Sequence, residues 1–233
     1  MFYEFTSRLL DLLISFTLIV FLSPLFIFIS LILKFTGEGE ILYKQRRVGK
    51  DMNYFNLYKF ATMLKDSPKL GSGELTQFDD PRVLPLGKLL RKTKINELPQ
   101  LINVLLGHMS LVGPRPQTQR YFNLFNDHSR KYIAKMRPGI TGIGSIIFRD
   151  EESIFKHAKN PQNVDDNLIT PYKGKLETWF YKNRTIRLYF LLIISTALIL
   201  FFSKINLINY FYNNLPKMPK EISELIKNDK ITN

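Results

Sequence analysis

Cysteine is absent from the 233-residue chain, which excludes disulfides and thiolate metal sites and fits a reducing cytosol. Histidine is nearly absent too. Only His108, His128 and His157 occur, and their spacing matches no metal-ligand pattern. Acidic residues are in deficit: 20 Asp and Glu stand against 33 Lys and Arg, for a formal net charge of +13. That imbalance implies an anionic partner, whether nucleic acid, a membrane surface or phosphorylated substrates. No nucleic-acid reader motif or aromatic stacking pattern is present, so charge alone would support nucleic acid, and that partner is set aside. No internal repeat is visible. The first apolar run also lacks an Ala-x-Ala cleavage site and is longer than a secretory h-region, so it reads as a retained segment.

What is present is unevenly placed. Leu9 to Leu33 is almost wholly apolar, as is Leu188 to Phe202, whereas the middle reads as a soluble protein. Roughly 20 apolar residues suffice to cross a bilayer as a helix. Ser23-Pro24 stands near the centre of the first run, and proline there predicts a kink. A sharp bend would let the segment enter and leave on one face; on periodicity alone, a kinked span is preferred. Arg8 and Lys34 flank the run, which favours cytosolic placement. The fifteen residues from Leu188 cover only about 22 Å as a helix. They are expected to form an embedded or interfacial helix packed on the first segment, with a second span as the alternative. The organisation expected is therefore a membrane segment over 1–36 and a catalytic-type body over 37–187. A membrane-interface helix over 188–205 and a polar, partly disordered tail over 206–233 complete it.

Within the body, Ile41-Leu42-Tyr43 and Tyr54 to Tyr58 flank Gly49 to Asn53, which reads as a β-hairpin. Residues 66–81 read as a loop, 84–93 and 97–106 as helices, and 107–116 as a Gly/Pro-punctuated stretch. Residues 117–134 look helical, 140–175 irregular with short helices, and a helical pattern resumes near Leu176. The fold class expected is mainly α with a small β-hairpin, a membrane helix joined to a compact α/β body.

Chemistry concentrates in Arg91-Lys92-Thr93-Lys94-Ile95-Asn96-Glu97-Leu98-Pro99-Gln100-Leu101. Asn96 stands where a helix N-cap belongs, and Pro99 falls in the first turn. Free N–H groups at such a terminus attract phosphate. Glu97 is placed to hold a divalent cation bridging a diphosphate. The plain alternative is a capped surface helix with solvated charges.

Six segments together resemble the bacterial sugar transferase family, the monotopic polyprenyl-phosphate phosphoglycosyl transferases. They are Ser23-Pro24-Leu25-Phe26, Gln45-Arg46-Arg47-Val48-Gly49, Tyr58 to Met63, Asn96 to Leu105, Met109 to Pro116 and Arg137 to Gly142. They follow the family's order and cover roughly residues 1–205. The resemblance implies a re-entrant helix-break-helix anchor with its break at Ser23-Pro24, reversing the preference for a span. It also implies transfer of a phosphosugar from a nucleoside diphosphate sugar, usually a UDP-sugar, to polyprenyl phosphate, with Mg2+ required and UMP released. Membrane lipids are then a partner, a homodimer is allowed, and the site faces the cytosol at a bacterial inner (cytoplasmic) membrane. Lys59, Arg91, Arg115 and Arg137 fall on basic motif positions and are candidate phosphate ligands. Glu177 stands where the family often has an acid. The family's catalytic dyad is Asp-Glu, with Asp as nucleophile, and here the Asp position is Asn96. A carboxamide has no comparable nucleophilicity. The routes left are Glu97 as nucleophile, another carboxylate among Asp150, Glu151 and Glu152, or direct attack by the lipid phosphate. An inactive nucleotide-sugar binder or scaffold is the alternative. His108 replaces a common acid before Met-Ser, and Gly142-Ile143-Gly144-Ser145 departs from the family's Gly-Trp-Ala-Gln, leaving the sugar open.

Overall fold

The computed structural model describes residues 2–36, 38–70, 80–149, 151–156, 160–201 and 214–232. Helix α1 (Phe2–Phe35) runs as one element through Pro24, about 51 Å long at 1.5 Å per residue. The expected break at Ser23-Pro24 does not divide it. Pro24 has no N–H to give the carbonyl four residues back, and Ser23 Oγ donates to that same Val20 carbonyl at 2.8 Å. The serine thus supplies the donor that the proline lacks, which matters where lipid offers none. Ser7, Asp11, Ser15, Ile29 and Leu33 face the body, while Phe16, Phe21 and Phe28 are among the large side chains left exposed. So broad an apolar face needs a covering, and α1 is long and apolar enough to cross a membrane.

Strands β1 (Leu42–Val48) and β2 (Tyr54–Phe60) pair antiparallel from Leu42↔Phe60 to Val48↔Tyr54, the expected hairpin. A second pair was not expected. Strands β3 (Ser110–Val112) and β4 (Gly139–Thr141) lie parallel, Ser110 opposite Gly139 and Val112 opposite Thr141. The strand ends are interlocked by glycine. A Cβ at Gly142 would fall 2.1 Å from the Gly113 carbonyl oxygen.

Helices α2 (Pro85–Lys92) and α3 (Gln100–Leu105) match the two expected around the motif. The expected helix over 117–134 is two, α4 (Gln119–Leu124) and α5 (Asp127–Ile133). Phe125 is extended, and Asn126 caps the second by accepting from Ser129 N at 2.8 Å. After β4 come α6 (Ile143–Ile147), α7 (Glu151–Lys156) and α8 (Pro161–Val164). A π-turn over Asp165–Ile169 leads into α9 (Thr170–Asn183), followed by α10 (Ile186–Phe201). The tail expected to be polar and partly disordered carries α11 (Lys220–Thr232). Its Ile222 is fully buried, and Tyr172 OH donates to the Pro216 carbonyl at 2.9 Å. A few apolar residues among lysines were enough to dock it.

The main core joins Val104, Met109, Ile143, Ile169, Leu176, Tyr189, Leu192 and Ile222. At its centre the Asp11 carboxylate of α1 accepts from Ser110 Oγ (3.1 Å), Leu111 N (2.9 Å) and Tyr189 OH (2.8 Å). One buried acid therefore ties α1, β3 and α10 together. Arg8 adds bonds to the carbonyls of Val104 (2.7 Å) and Leu105 (3.1 Å) at the end of α3, where basic groups suit the helix dipole.

Candidate functional site

The motif turn between α2 and α3 is set by Lys94, whose backbone is left-handed at φ 60°. Residues Ile95–Glu97 then form a 3-10 turn. Asn96 is inside that turn and caps nothing; the residue preceding α3 is Pro99. Four of the N–H groups expected to be free here are also spent. Glu97 N bonds Lys94 O, Leu98 N bonds Ile95 O, Leu101 N bonds Leu98 O and Ile102 N bonds Pro99 O. Consequently Asn96 is buried with an Oδ1 that has no hydrogen-bond partner among the described residues.

Glu97 becomes the focus. Its Oε1 lies 3.4 Å from Lys59 Nζ on β2 and 3.3 Å from Arg115 Nη2 in the loop after β3. The glutamate side chain is only 15% exposed and the lysine 19%. Burial alone would push the carboxyl pKa up, but Lys59, Arg115 and Lys94 outweigh it and hold the group well below the usual carboxylate range. Burial pushes Lys59 down to about 8; Glu97 opposes that, while Arg115, Arg47 and Arg91 add to it. Asn103 fixes the spacing of this pair. Fully buried on α3, its amide donates to Asn56 O at 2.7 Å and accepts from Tyr58 N at 2.9 Å, beside Lys59. That residue lies inside a quoted motif, yet nothing in its spacing marks it as a clamp.

Asn96, Glu97, Lys59, Arg91 and Arg115 line one open cleft of about 2390 Å³, which also reaches Ile14 and Leu18 of α1. Arg91 also contacts Met63 Sδ at 3.7 Å. Arg137 is not brought to the cleft. Its Nε donates to the Gly107 carbonyl at 2.9 Å, at the opposite end of α3 beside Arg8. The helix C-terminus claims the guanidinium that the motif offered for phosphate. Glu177 on α9 is buried, lines another wall of the same cleft, and accepts from Gly144 N at 3.3 Å. Of the substitute carboxylates, Asp150 lies outside the described residues, and Glu151 is held by Lys173 at 2.5 Å. His108 is exposed and stacks on Phe55, His128 packs on Tyr132, and His157 lies outside the described residues.

Among the described residues no three His, Asp or Glu side chains gather as a metal cage. The donors at the turn are the Glu97 carboxylate, engaged twice through the same oxygen, and the orphaned Asn96 Oδ1. Mg2+ commonly takes one or two carboxylates and completes its shell with substrate phosphates and water. The residues fit that mode of binding.

A protein named undecaprenyl-phosphate glucose phosphotransferase from Komagataeibacter xylinus is 42% identical over 157 residues, covering 62% of this chain and 30% of that protein. The UDP-N-acetylgalactosamine-undecaprenyl-phosphate N-acetylgalactosaminephosphotransferase of Aeromonas hydrophila is 37% identical over 147 residues, 62% of this chain and 34% of its own length. The exopolysaccharide production protein PSS of Rhizobium leguminosarum bv. phaseoli is 36% identical over 147 residues, 60% of this chain and 72% of its own. The chain thus matches about a third of the first two relatives and most of the third. The family described as bacterial sugar transferase matches residues 2–203, so the chain belongs to the bacterial sugar transferase family.

Proposed function

We propose that the chain transfers a phosphosugar from a UDP-sugar to polyprenyl phosphate, releasing UMP, as the first membrane step of surface glycan synthesis. The observation carrying this reading is one largely buried carboxylate, Glu97, held between Lys59 at 3.4 Å and Arg115 at 3.3 Å in a cleft that extends to the membrane helix. Basic groups neutralise the diphosphate, and the apolar wall keeps the acceptor's phosphate near the bilayer surface. Glu97 and Asn96 would hold Mg2+, which supplies charge neutralisation at the phosphoryl oxygens.

Asn96 cannot serve as the nucleophile. The cations around Glu97 lower its basicity, which makes it a weaker nucleophile than an ordinary carboxylate. Its surroundings favour direct transfer: a polyprenyl phosphate oxygen attacks the sugar-bearing phosphorus, the P–O–P bond breaks, and UMP leaves with the bridging oxygen. Nothing favours the inactive scaffold reading, since Lys59, Arg91 and Arg115 all line the cleft.

Placement follows from the two ends of α1. Glu4 lies 3.2 Å from Arg184, and Leu33 packs with Phe60 and Leu90. Both ends rest on one body, which supports a monotopic, re-entrant anchor; Arg8 and Lys34 beside the apolar run favour the cytosolic face of the inner membrane. The test is UMP release from a panel of UDP-sugars with undecaprenyl phosphate and Mg2+, paired with intact-mass measurement. Wild type releases UMP without a phosphosugar adduct; an adduct would replace direct transfer by a covalent route. Absence of release by folded protein across the panel would overturn the transferase reading.

A further inference from the structure

The cleft has a second polar wall that the phosphate chemistry does not use. Strands β3 and β4 run parallel, so their C-terminal ends point the same way. Arg115 follows β3 by three residues and Gly144 follows β4 by three, across the Gly113–Gly142 contact. Past that contact, Gly144 N donates to Glu177 Oε1 at 3.3 Å. A Cβ at position 144 would lie 2.7 Å from that oxygen, so a side chain there would push the carboxyl away. The other oxygen, Glu177 Oε2, is buried on a residue 3% exposed and has no partner among the described residues; Ser145 Oγ is likewise buried and unbonded. Both residues line the cleft. Buried polar atoms are nearly always bonded, so these two orphans need partners that the described residues do not supply.

The chemistry of such a partner follows from charge. Burial pushes the Glu177 pKa up to about 8, so at neutral pH its carboxyl is a neutral donor and acceptor. Lys173 is paired with Glu151, and Asp165 accepts from Thr170 Oγ1 at 3.0 Å. A wall of this kind suits hydroxyl groups, in contrast to the cationic turn at Glu97. We propose that Glu177 and Ser145, with Gly144 behind them, bind the hydroxyls of the donor's sugar ring and set which sugars are accepted. This rests on the donor being a nucleotide sugar. The ribose is the other ring of such a donor able to offer hydroxyls.

Equilibrium binding to the full chain in detergent separates the two sources, using UMP, glucose 1-phosphate, and UDP-glucose, UDP-galactose and their N-acetylamino counterparts. Glu177→Leu is expected to weaken the preferred UDP-sugar and sugar phosphate about tenfold while leaving UMP within about twofold. Glu177→Gln, which keeps a neutral donor and acceptor, should stay near wild type, and Ser145→Ala should lose about threefold. UMP weakened in parallel, with glucose 1-phosphate unaffected, would assign the wall to ribose and overturn the proposal. Unchanged UDP-sugar binding in both Glu177→Leu and Ser145→Ala would overturn it as well. Thermal melting identifies a misfolded Glu177→Leu, and Ser145→Ala then decides alone. Absence of UMP release across the UDP-sugar panel would sink the transferase reading itself, which is a different result from insensitive variants.

Discussion

Glu97 and Lys59 control each other's charge, and that coupling is measurable. Lys59 sits at about 8 because burial outweighs the attraction of Glu97. A lysine lowered in this way is cationic below that pH and neutral above it. Donor binding that needs the ammonium should therefore be full near pH 7 and decline as pH rises through about 8. Glu97→Gln removes the one partner that raises Lys59, so the decline should begin at lower pH; titration of UMP binding against pH checks both curves. A Glu97→Gln midpoint at or above that of wild type would refute the coupling. The same scale shows which site residues were legible. Glu97, Lys59, Arg91 and Arg115 could be read from the motifs, and they meet in the cleft. Arg137 could not, because carbonyls at the end of α3 compete for it, and no sequence window reveals a helix end 30 residues away. The cap expected of Asn96 failed for a local reason: Lys94 in a left-handed conformation starts a 3-10 turn that uses the N–H groups first.

At the scale of elements, a polar bracket positions the site. Asn103 imitates a neighbouring strand, giving β2 one donor and one acceptor from a fully buried amide. Asn103→Leu should strand Asn56 O and Tyr58 N, at about 1–3 kcal/mol for each group left unbonded. Asn103→Asp keeps the bond from Tyr58 N but cannot donate to Asn56 O. Both variants should melt lower than wild type, and UMP release should fall further than the lost folded fraction accounts for. A loss of activity that tracks folded fraction alone would make Asn103 purely structural. The hairpin β1–β2 was readable because the short runs Ile41-Leu42-Tyr43 and Tyr54 to Tyr58 flank the turn-forming stretch Gly49 to Asn53. The parallel pair β3–β4 was not, since three residues each are too few for a period of two to register. Nor was the break at Phe125-Asn126 apparent, because the apolar spacing continues through it while the cap is made by one asparagine side chain. Helix α11 was missed for the opposite reason: its composition is polar, and only Ile222, Leu225 and Ile226 of its residues pack on the core among the described side chains.

The molecule as a whole is organised around where α1 leaves and rejoins the body. Asp11 bonds to β3 and α10, Arg8 to the end of α3, and Glu4 to Arg184, so the first third of the helix is held by polar contacts. Its far end is held by apolar ones, with Ile29 and Leu33 against Phe60 and Leu90. Between them lies the exposed apolar face that includes Phe16, Phe21 and Phe28. A helix crossing the bilayer would place its ends about 30 Å apart on opposite surfaces, with the polar grip of residues 4–11 on one side and the body beneath Leu33 on the other. In the proposed re-entrant placement, entry and exit on the same face would leave both attachments intact, with the exposed middle in lipid and the exposed Pro24 on its outer side. The absence of native cysteine makes this directly testable. Phe2→Cys and Phe35→Cys mark the two exposed ends, and Phe21→Cys marks the middle. With a membrane-impermeant maleimide, both end positions should label in inside-out inner-membrane vesicles and neither in intact spheroplasts, while position 21 stays unlabelled in both. Labelling of position 2 in spheroplasts, with position 35 reached only from inside, would establish a full span and would require the contacts of Glu4 and Arg8 to be broken in the membrane.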